Sequence, residues 1–436
     1  VKMIKNLIIK NGHIVDPSSN LNGVMDVLIE DGKIVSMAKD MRVAAKRDDS
    51  EVLNVSGKKV FPGLIDMHTH IREPGREDEE TIKTGSRAAA KGGFASICCM
   101  ANTTPPVDNQ GVVGFILSES RKVGLVNIYP IGAVTKGLRG DELAEIGELK
   151  RAGIVAISDD GNPIQNSEVM RRALEYSKMF GLPVISHCED KFLSLDGVMN
   201  EGYISTLLGL RGIPSVSESV MVARDIQLAE TTGSRLHIAH VTTAISISLI
   251  REAKKKGIRV TCEVTPHHFT LTEDSVKDFN TNAKMNPPLR TKDDIDALKE
   301  GLRDGTIDAI ASDHAPHTEN EKDVEFDNAP FGIIGLETSL SLAIMELVDK
   351  GILTLSQLVE KMSTNPAKIL GLNKGYLKAG EDADITVVDL ERKWVADKDR
   401  FESKSKNSPF IGWELKGMAT EVIVGGKIIV RDGKII

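Results

Sequence analysis

The sequence predicts an α/β protein: a (β/α)8 TIM-type barrel carrying a small β-sandwich domain formed from both chain termini. Three observations lead there. Between residue 60 and about 370, eight β-like runs alternate with helical patterns. The segments before and after this stretch both read as strand–turn–strand. The carboxyl ends of the runs are unusually rich in histidine and aspartate, as expected of a barrel whose chemistry sits at that rim. The 436 residues exceed one ordinary domain and suit a barrel plus a smaller module. Hydrophobic residues make up 41% and aromatic residues only 4%, so Ile, Val, Leu and Ala must fill the core.

In chain order, residues 4–16 read as two strands about a turn at Asn11-Gly12, and residues 26–35 repeat that style around Asp31-Gly32. Residues 383–389 and 421–434 do the same at the other end of the chain. The expected division is a composite β domain of residues 1–60 and 373–436, with the barrel at 61–372. His13 falls in the sheet as an ordinary histidine. The eight barrel runs are residues 59–70, 94–102, 127–134, 154–160, 182–187, 235–240, 258–265 and 307–313. Helices are expected at 80–91, 141–151, 166–180, 217–231, 243–256 and 293–303, with Ser217 and Asp293 as N-caps. A helical tail follows at 333–350 and 355–370.

Composition excludes several classes of function. The net charge is −8, with Lys and Arg dispersed, which argues against a nucleic-acid partner. An anionic substrate must therefore find positive charge locally. The four cysteines form no Cys-x-x-Cys and no disulfide framework, which suits a reducing cytoplasm. Cys188, beside His187, reads as a small buried apolar residue. No apolar run approaches the ~20 residues of a membrane span, and the amino terminus does not read as a signal peptide.

The chemistry gathers at the strand ends. Strand alternation points His68 and His70 the same way, and two such imidazoles can grip one divalent cation. The other ends carry Asn102, Asp159-Asp160, His187, His240, His267-His268 and Asp313-His314. Alternation alone leaves open which of Asp159 and Asp160 points inward. Imidazoles with carboxylates suit zinc at one or two centres, with Fe, Mn or Co as substitutes. Such a centre acidifies water and polarises a carbonyl, which is the chemistry of amide hydrolysis or its reversal. Asp66 reads as a buried acceptor on the same face as His68, and His237 as a packing residue on the face opposite His240. His267 and His268 read as structural, and His314 as shaping its loop. The polar segment 318–328 reads as a mobile loop over the site.

The motifs together resemble a family. Pro62-Gly-Leu-Ile-Asp-Met-His-Thr-His-Ile-Arg-Glu-Pro-Gly, Met100-Ala-Asn-Thr-Thr-Pro, Thr265-Pro-His-His, Met285-Asn-Pro-Pro-Leu-Arg and Ile310-Ala-Ser-Asp-His-Ala-Pro-His are similar to dihydroorotases of the class I bacterial type, in the amidohydrolase superfamily. The resemblance covers essentially the whole chain. It implies that His68, His70 and Asp313 hold one metal, that His187 and His240 hold a second, and that Asp160 bridges them, with one or two zinc ions per subunit. Asp313 would also be the general base and acid. Arg72, Asn102 and His317 would bind the substrate carboxylate, with His70 also on the substrate side. Asn286 and the backbone at Phe331 and Gly332 would hold the pyrimidine edge. The implied reaction interconverts N-carbamoyl-L-aspartate and (S)-dihydroorotate plus water in de novo pyrimidine biosynthesis.

Many relatives bridge their metals with a carboxylated lysine after strand four. Residues 154–161 contain no lysine, which matches the subclass that uses aspartate. The resemblance also allows a homodimer, and a complex with aspartate transcarbamoylase. Two alternatives remain. One is another cyclic amidohydrolase, such as an allantoinase or dihydropyrimidinase, against which the absent lysine and the Arg72/Asn102 pair speak. The other is a non-catalytic homologue scaffolding aspartate transcarbamoylase, which would normally have lost metal ligands that are all present here.

Overall fold

The computed structural model describes residues 6–39, 41 and 50–436. Among the described residues, eight parallel strands follow one another around a barrel: Leu64–Thr69, Phe94–Cys99, Asn127–Gly132, Ala156–Ser158, Val184–Ser186, Leu236–Ile238, Val260–Val264 and Ala309–Ile310. Each lies inside its expected run. Strands one and eight do not pair as a ladder. Just past their ends, the His70 N–H donates to the His314 carbonyl at 2.8 Å, and Thr69 bridges His314 in parallel. The ring is therefore closed at the rim that carries the polar residues.

The strands are short, and small or flexible side chains fill their inside. Met67, Cys98, Ile131, Ala156, Ile185 and Ala309 form one buried cluster. Helices cover the outside through a larger apolar layer that includes Ala88–Ala90, Ile97, Leu149, Ile226, Ile250 and Leu298. All four cysteines are buried and free, and burial pushes the Cys188 thiol well up, in keeping with a packing role. No helix among the described residues is long and apolar enough to cross a membrane.

The helices begin where backbone donors find a side chain. Thr81 accepts from the Thr84 N–H ahead of Ile82–Gly92, and Gly93 ends that helix at φ +96°. Two expected caps move. Lys292–Arg303 starts at Thr291, whose hydroxyl accepts from the Asp294 N–H while Asp294 reaches back to Thr291, so Asp293 already lies within the first turn. Val216–Thr232 places Ser217 inside its first turn, with its hydroxyl donating to the Pro214 carbonyl. A helix at Gln110–Val123, capped by Asn109, was not among those expected. The tail is helical from Ser339 rather than 333, because Ile333 pairs with His314 at the barrel rim.

The two termini build one mixed sheet of nine strands among the described residues. Lys59–Pro62 is its seam: it runs parallel to Asn6–Asp16 and antiparallel to Ile385–Val395. Asn11-Gly12 is not a hairpin turn. Asn6–Asp16 is a single strand, and the register against Leu21–Glu30 slips between Ile9 and Gly12. A side chain on Gly12 would meet Val60 at 2.4 Å, so this bulge lies against the seam strand. Asp31-Gly32 does form a tight turn, with φ of +48° and +82°.

Gly63 links the seam strand to barrel strand one. Its N–H donates to the Asp384 carbonyl at 2.8 Å, and a Cβ there would lie 2.6 Å from the Ala95 methyl. Gly63→Ala should therefore lower unfolding stability by roughly 1–3 kcal/mol through overpacking. Urea denaturation measures this, and a neutral result would mean that the junction can relax.

Candidate metal centre

Asp160 stands among four imidazoles. Its Oδ2 lies 3.4 Å from both His68 Nε2 and His70 Nε2, and its Oδ1 lies 3.5 Å from His187 Nδ1 and 3.3 Å from His240 Nε2. Asp313 Oδ1 closes one side, 3.1 Å from His70 Nε2 and 3.5 Å from His68 Nε2. His187 and His240 approach each other at 3.0 Å. Ligand-type atoms of His68, Asp160 and His240 lie within 4.8 Å of one another, as do those of His68, His70 and Asp313. The six residues come from strands one, four, five, six and eight, and all are buried.

The backbone turns sharply to present them. Arg72, His240 and Asp313 all have positive φ, at +64°, +30° and +47°. Such conformations are costly for residues with a side chain and cluster at functional sites. At His240 the turn also breaks the strand alternation after Ile238. This is why the expected placement of His237 fails. His237 does not point to an opposite face; its Nε2 lies 3.3 Å from Glu263, directly behind His68.

Asp159 and Asp160 separate cleanly. Asp159 accepts from the Val134 and Thr135 amides at 2.7 and 3.1 Å and from the Thr135 hydroxyl, and burial pushes its carboxyl up to about 6. It holds the strand-three loop and faces away from the imidazoles.

A second set of groups orients the first. Glu263 Oε1 lies 2.5 Å from His68 Nδ1; burial opposes its charge, but His68 and His237 hold it down at about 2. Glu189 accepts from His187 Nε2 at 3.1 Å, Asn286 Nδ2 at 2.9 Å and Lys191 Nζ at 2.8 Å. Asn102 Oδ1 lies 2.8 Å from His70 Nδ1. Asp66 accepts from the His68 and Ser312 amides, as expected of a buried acceptor. His268 is tied to Thr265 and the Pro287 carbonyl, and His314 to Glu80 and the Gly335 amide, so both shape the backbone. Reading the strand ends missed Glu263 and Glu189. The available signals were a carboxylate inside the apolar run Val260–Val264 and an acid two residues after His187.

The donor set fits a divalent metal. Burial opposes charge on His68, yet Asp160, Glu263 and Asp313 raise its affinity for a proton well above the usual value, and His187 likewise rises to about 9. The same carboxylate field that draws a proton favours a cation. His68 Nε2 is buried without a hydrogen-bond partner, as suits a nitrogen that would bind a metal.

Above the carboxylates opens a cavity of about 280 Å³, lined by His70, Arg72, Asn102, Asp160, His187, Asn286, Asp313, His317, Phe331 and Gly332 among others. Every expected site residue except His68 and His240, which lie beneath it, reaches this wall. Glu79 orients the cationic side: it lies 3.1 Å from Arg72 Nε and 2.8 Å from His317 Nδ1. At the Phe331–Gly332 edge the backbone is already engaged. His317 Nε2 lies 2.9 Å from the Phe331 carbonyl, and the Gly332 N–H donates to the Lys284 carbonyl at 2.9 Å.

With this geometry established, comparison with known proteins decides the family. Residues 57–246 match a family described as dihydro-orotase-like, and residues 221–430 match the amidohydrolase family. A dihydroorotase from Acetivibrio thermocellus is 56% identical, covering 98% of this chain and 99% of the relative; one from Pelotomaculum thermopropionicum is 57% identical with the same coverage. The chain belongs to the dihydroorotase family. Among solved structures, an L-hydantoinase from Arthrobacter aurescens is similar at a TM-score of 0.88 and 27% identity, covering 99% of this chain and 97% of that one. A dihydropyrimidinase from Brevibacillus agri follows at 0.84 and 25%, covering 99% and 96%. The dihydroorotase family thus shares its barrel and terminal sheet with other cyclic amidohydrolases, and its His/Asp centre is present in this chain.

Glu263→Gln should weaken divalent-metal binding by about 10–100-fold, because His68 loses the carboxylate that holds its ring. Competition with a chromogenic chelator measures this, and unchanged affinity would show that Glu263 does not orient His68.

Proposed function

We propose that this dihydroorotase interconverts N-carbamoyl-L-aspartate and (S)-dihydroorotate plus water with zinc at the His/Asp centre. One observation carries the reading: a buried carboxylate shared by four imidazoles lies at the floor of a cavity whose wall holds an arginine. His68, His70 and Asp313 would hold one zinc, and His187 and His240 another, with Asp160 between them. Bound there, zinc acidifies water and polarises the scissile carbonyl.

The rest of the work falls to the side chains. Asp313, held well below the usual carboxylate range by His68 and His70 despite burial, stays ionised and can take a proton. In hydrolysis, a water oxygen bonds to the ring carbonyl carbon, Asp313 takes the water proton, the ring C–N bond breaks, and Asp313 gives the proton to the leaving nitrogen. Ring closure runs the same steps in reverse. Arg72 uses its Nε on Glu79 and the Pro316 carbonyl and places Nη2 3.3 Å from His317 Nε2, which leaves Nη1 to donate to the substrate's spectator carboxylate. Asn102 and His317 stand beside it on the cavity wall, and Asn286 with the Phe331–Gly332 edge faces the ring. Closure consumes a carboxylate and a proton, so acid favours the ring by about tenfold per pH unit. The proposed domain limits at residues 60 and 373 lie near the Gly63–Asp384 junction, with the seam strand Lys59–Pro62 carrying the terminal sheet two residues past the first limit.

The deciding experiment is dihydroorotate hydrolysis by the purified chain, with and without chelator and added zinc, beside allantoin and dihydrouracil. Selective, zinc-restored turnover of dihydroorotate is expected; turnover of the neutral rings alone would overturn the assignment. Asp313→Asn should keep the fold and lose turnover by about 10²–10⁴-fold; an active variant would remove the proton shuttle. Arg72→Ala should raise KM for carbamoyl-aspartate far more than for a neutral cyclic amide, and equal losses would contradict its carboxylate role. Metal analysis should give one to two zinc ions per chain, reduced by Asp160→Ala.

A further inference from the structure

Two buried lysines tie down the segment expected to be a loop over the site, Lys322 from within it and Lys284 from beneath it. Lys284 is 2% exposed and Lys322 5%. Lys284 Nζ donates to the Phe326 and Asp327 carbonyls at 2.7 and 3.0 Å and sits 4.7 Å from the Phe331 ring centre. The Lys284 carbonyl accepts from the Gly332 N–H at 2.9 Å. Lys322 Nζ donates to the Pro330, Thr281 and Lys284 carbonyls at 2.7, 3.0 and 3.4 Å, and the Thr281 hydroxyl returns a bond to the Lys322 carbonyl at 2.6 Å. The loop itself holds one capped helical turn, Glu319–Lys322, which aims Lys322 inward.

These contacts join segment 281–284 to segment 322–332. The first leads into Asn286 and the second contains Phe331 and Gly332, and all three line the same cavity. Among the described residues, neither ammonium forms an ion pair with a carboxylate. Burying a lysine charge against carbonyls alone is costly, so simple packing does not account for two such residues side by side. The cost is understandable if a fixed loop position is what they provide.

We propose that Lys284 and Lys322 are positioning residues that latch segment 322–332 onto segment 281–284 and so set the gap between Asn286 and Gly332 that receives the ring. This rests on the reading that Asn286, Phe331 and Gly332 hold the ring. The latch makes the slot before substrate arrives, so losing it costs binding rather than chemistry.

The test uses Lys284→Met and Lys322→Met in the full-length zinc enzyme, with Thr281→Val as a milder variant. KM for dihydroorotate should rise about tenfold in the lysine variants and about two- to threefold in Thr281→Val, with kcat and zinc content within about twofold. Amide hydrogen exchange over residues 318–332 should quicken, and dihydroorotate should protect that segment less. Unchanged KM in all three variants would overturn the latch, and so would kcat, KM and zinc content failing together. Gly332→Ala separates the two ideas, because its Cβ would meet the Ala315 methyl at 2.6 Å. No effect of Gly332→Ala on KM sinks the ring-binding reading. An effect there, with none in the lysine variants, sinks the latch alone.

Discussion

The structure depends on one buried negative charge. Asp160 lies in the barrel mouth with imidazoles from three other strands turned toward its two oxygens. A lone carboxylate at that depth would be costly, and the four imidazoles around it supply donors of the kind a cation takes. Each half makes sense only with the other. The strained backbone at His240 and Asp313 follows, because only a sharp turn after the strand ends brings those side chains to the common centre.

Around that centre, each imidazole that faces the carboxylates is steered from behind, apart from His240. Glu263 holds His68, Glu189 holds His187, and Asn102 holds His70. Glu189 also reaches Asn286 and Lys191, so the imidazole cluster and the Asn286 wall of the cavity share one acceptor. Asn102, expected from the sequence to bind substrate, is engaged with the His70 ring.

Most of the barrel was legible because its signals are local. Alternating runs and helices give the strand count, and strand-end residues give the rim. The His68/His70 pair, Asp313 and the remaining histidines could be named because each ends an apolar run. The misses share a cause. Glu263 sits inside a run and acts through a neighbouring strand, and His237 was misplaced because alternation was carried past the end of its strand. Asn11-Gly12 has turn chemistry but bulges instead, since the seam strand pairs alongside it.

What the sequence by itself determined was the element order, the composite origin of the terminal sheet, the metal-type residue set and the family resemblance, all of which depend on residue type and spacing along the chain. What only the tertiary structure decided was direction. It turned Asp160 inward and Asp159 toward Thr135, gave Glu263 and Glu189 to particular imidazoles, and buried Lys284 and Lys322 where they tie down the segment that edges the cavity. Side-chain direction beyond a strand end is set by where the backbone turns and by which distant strand supplies the partner, and neither is written in local spacing.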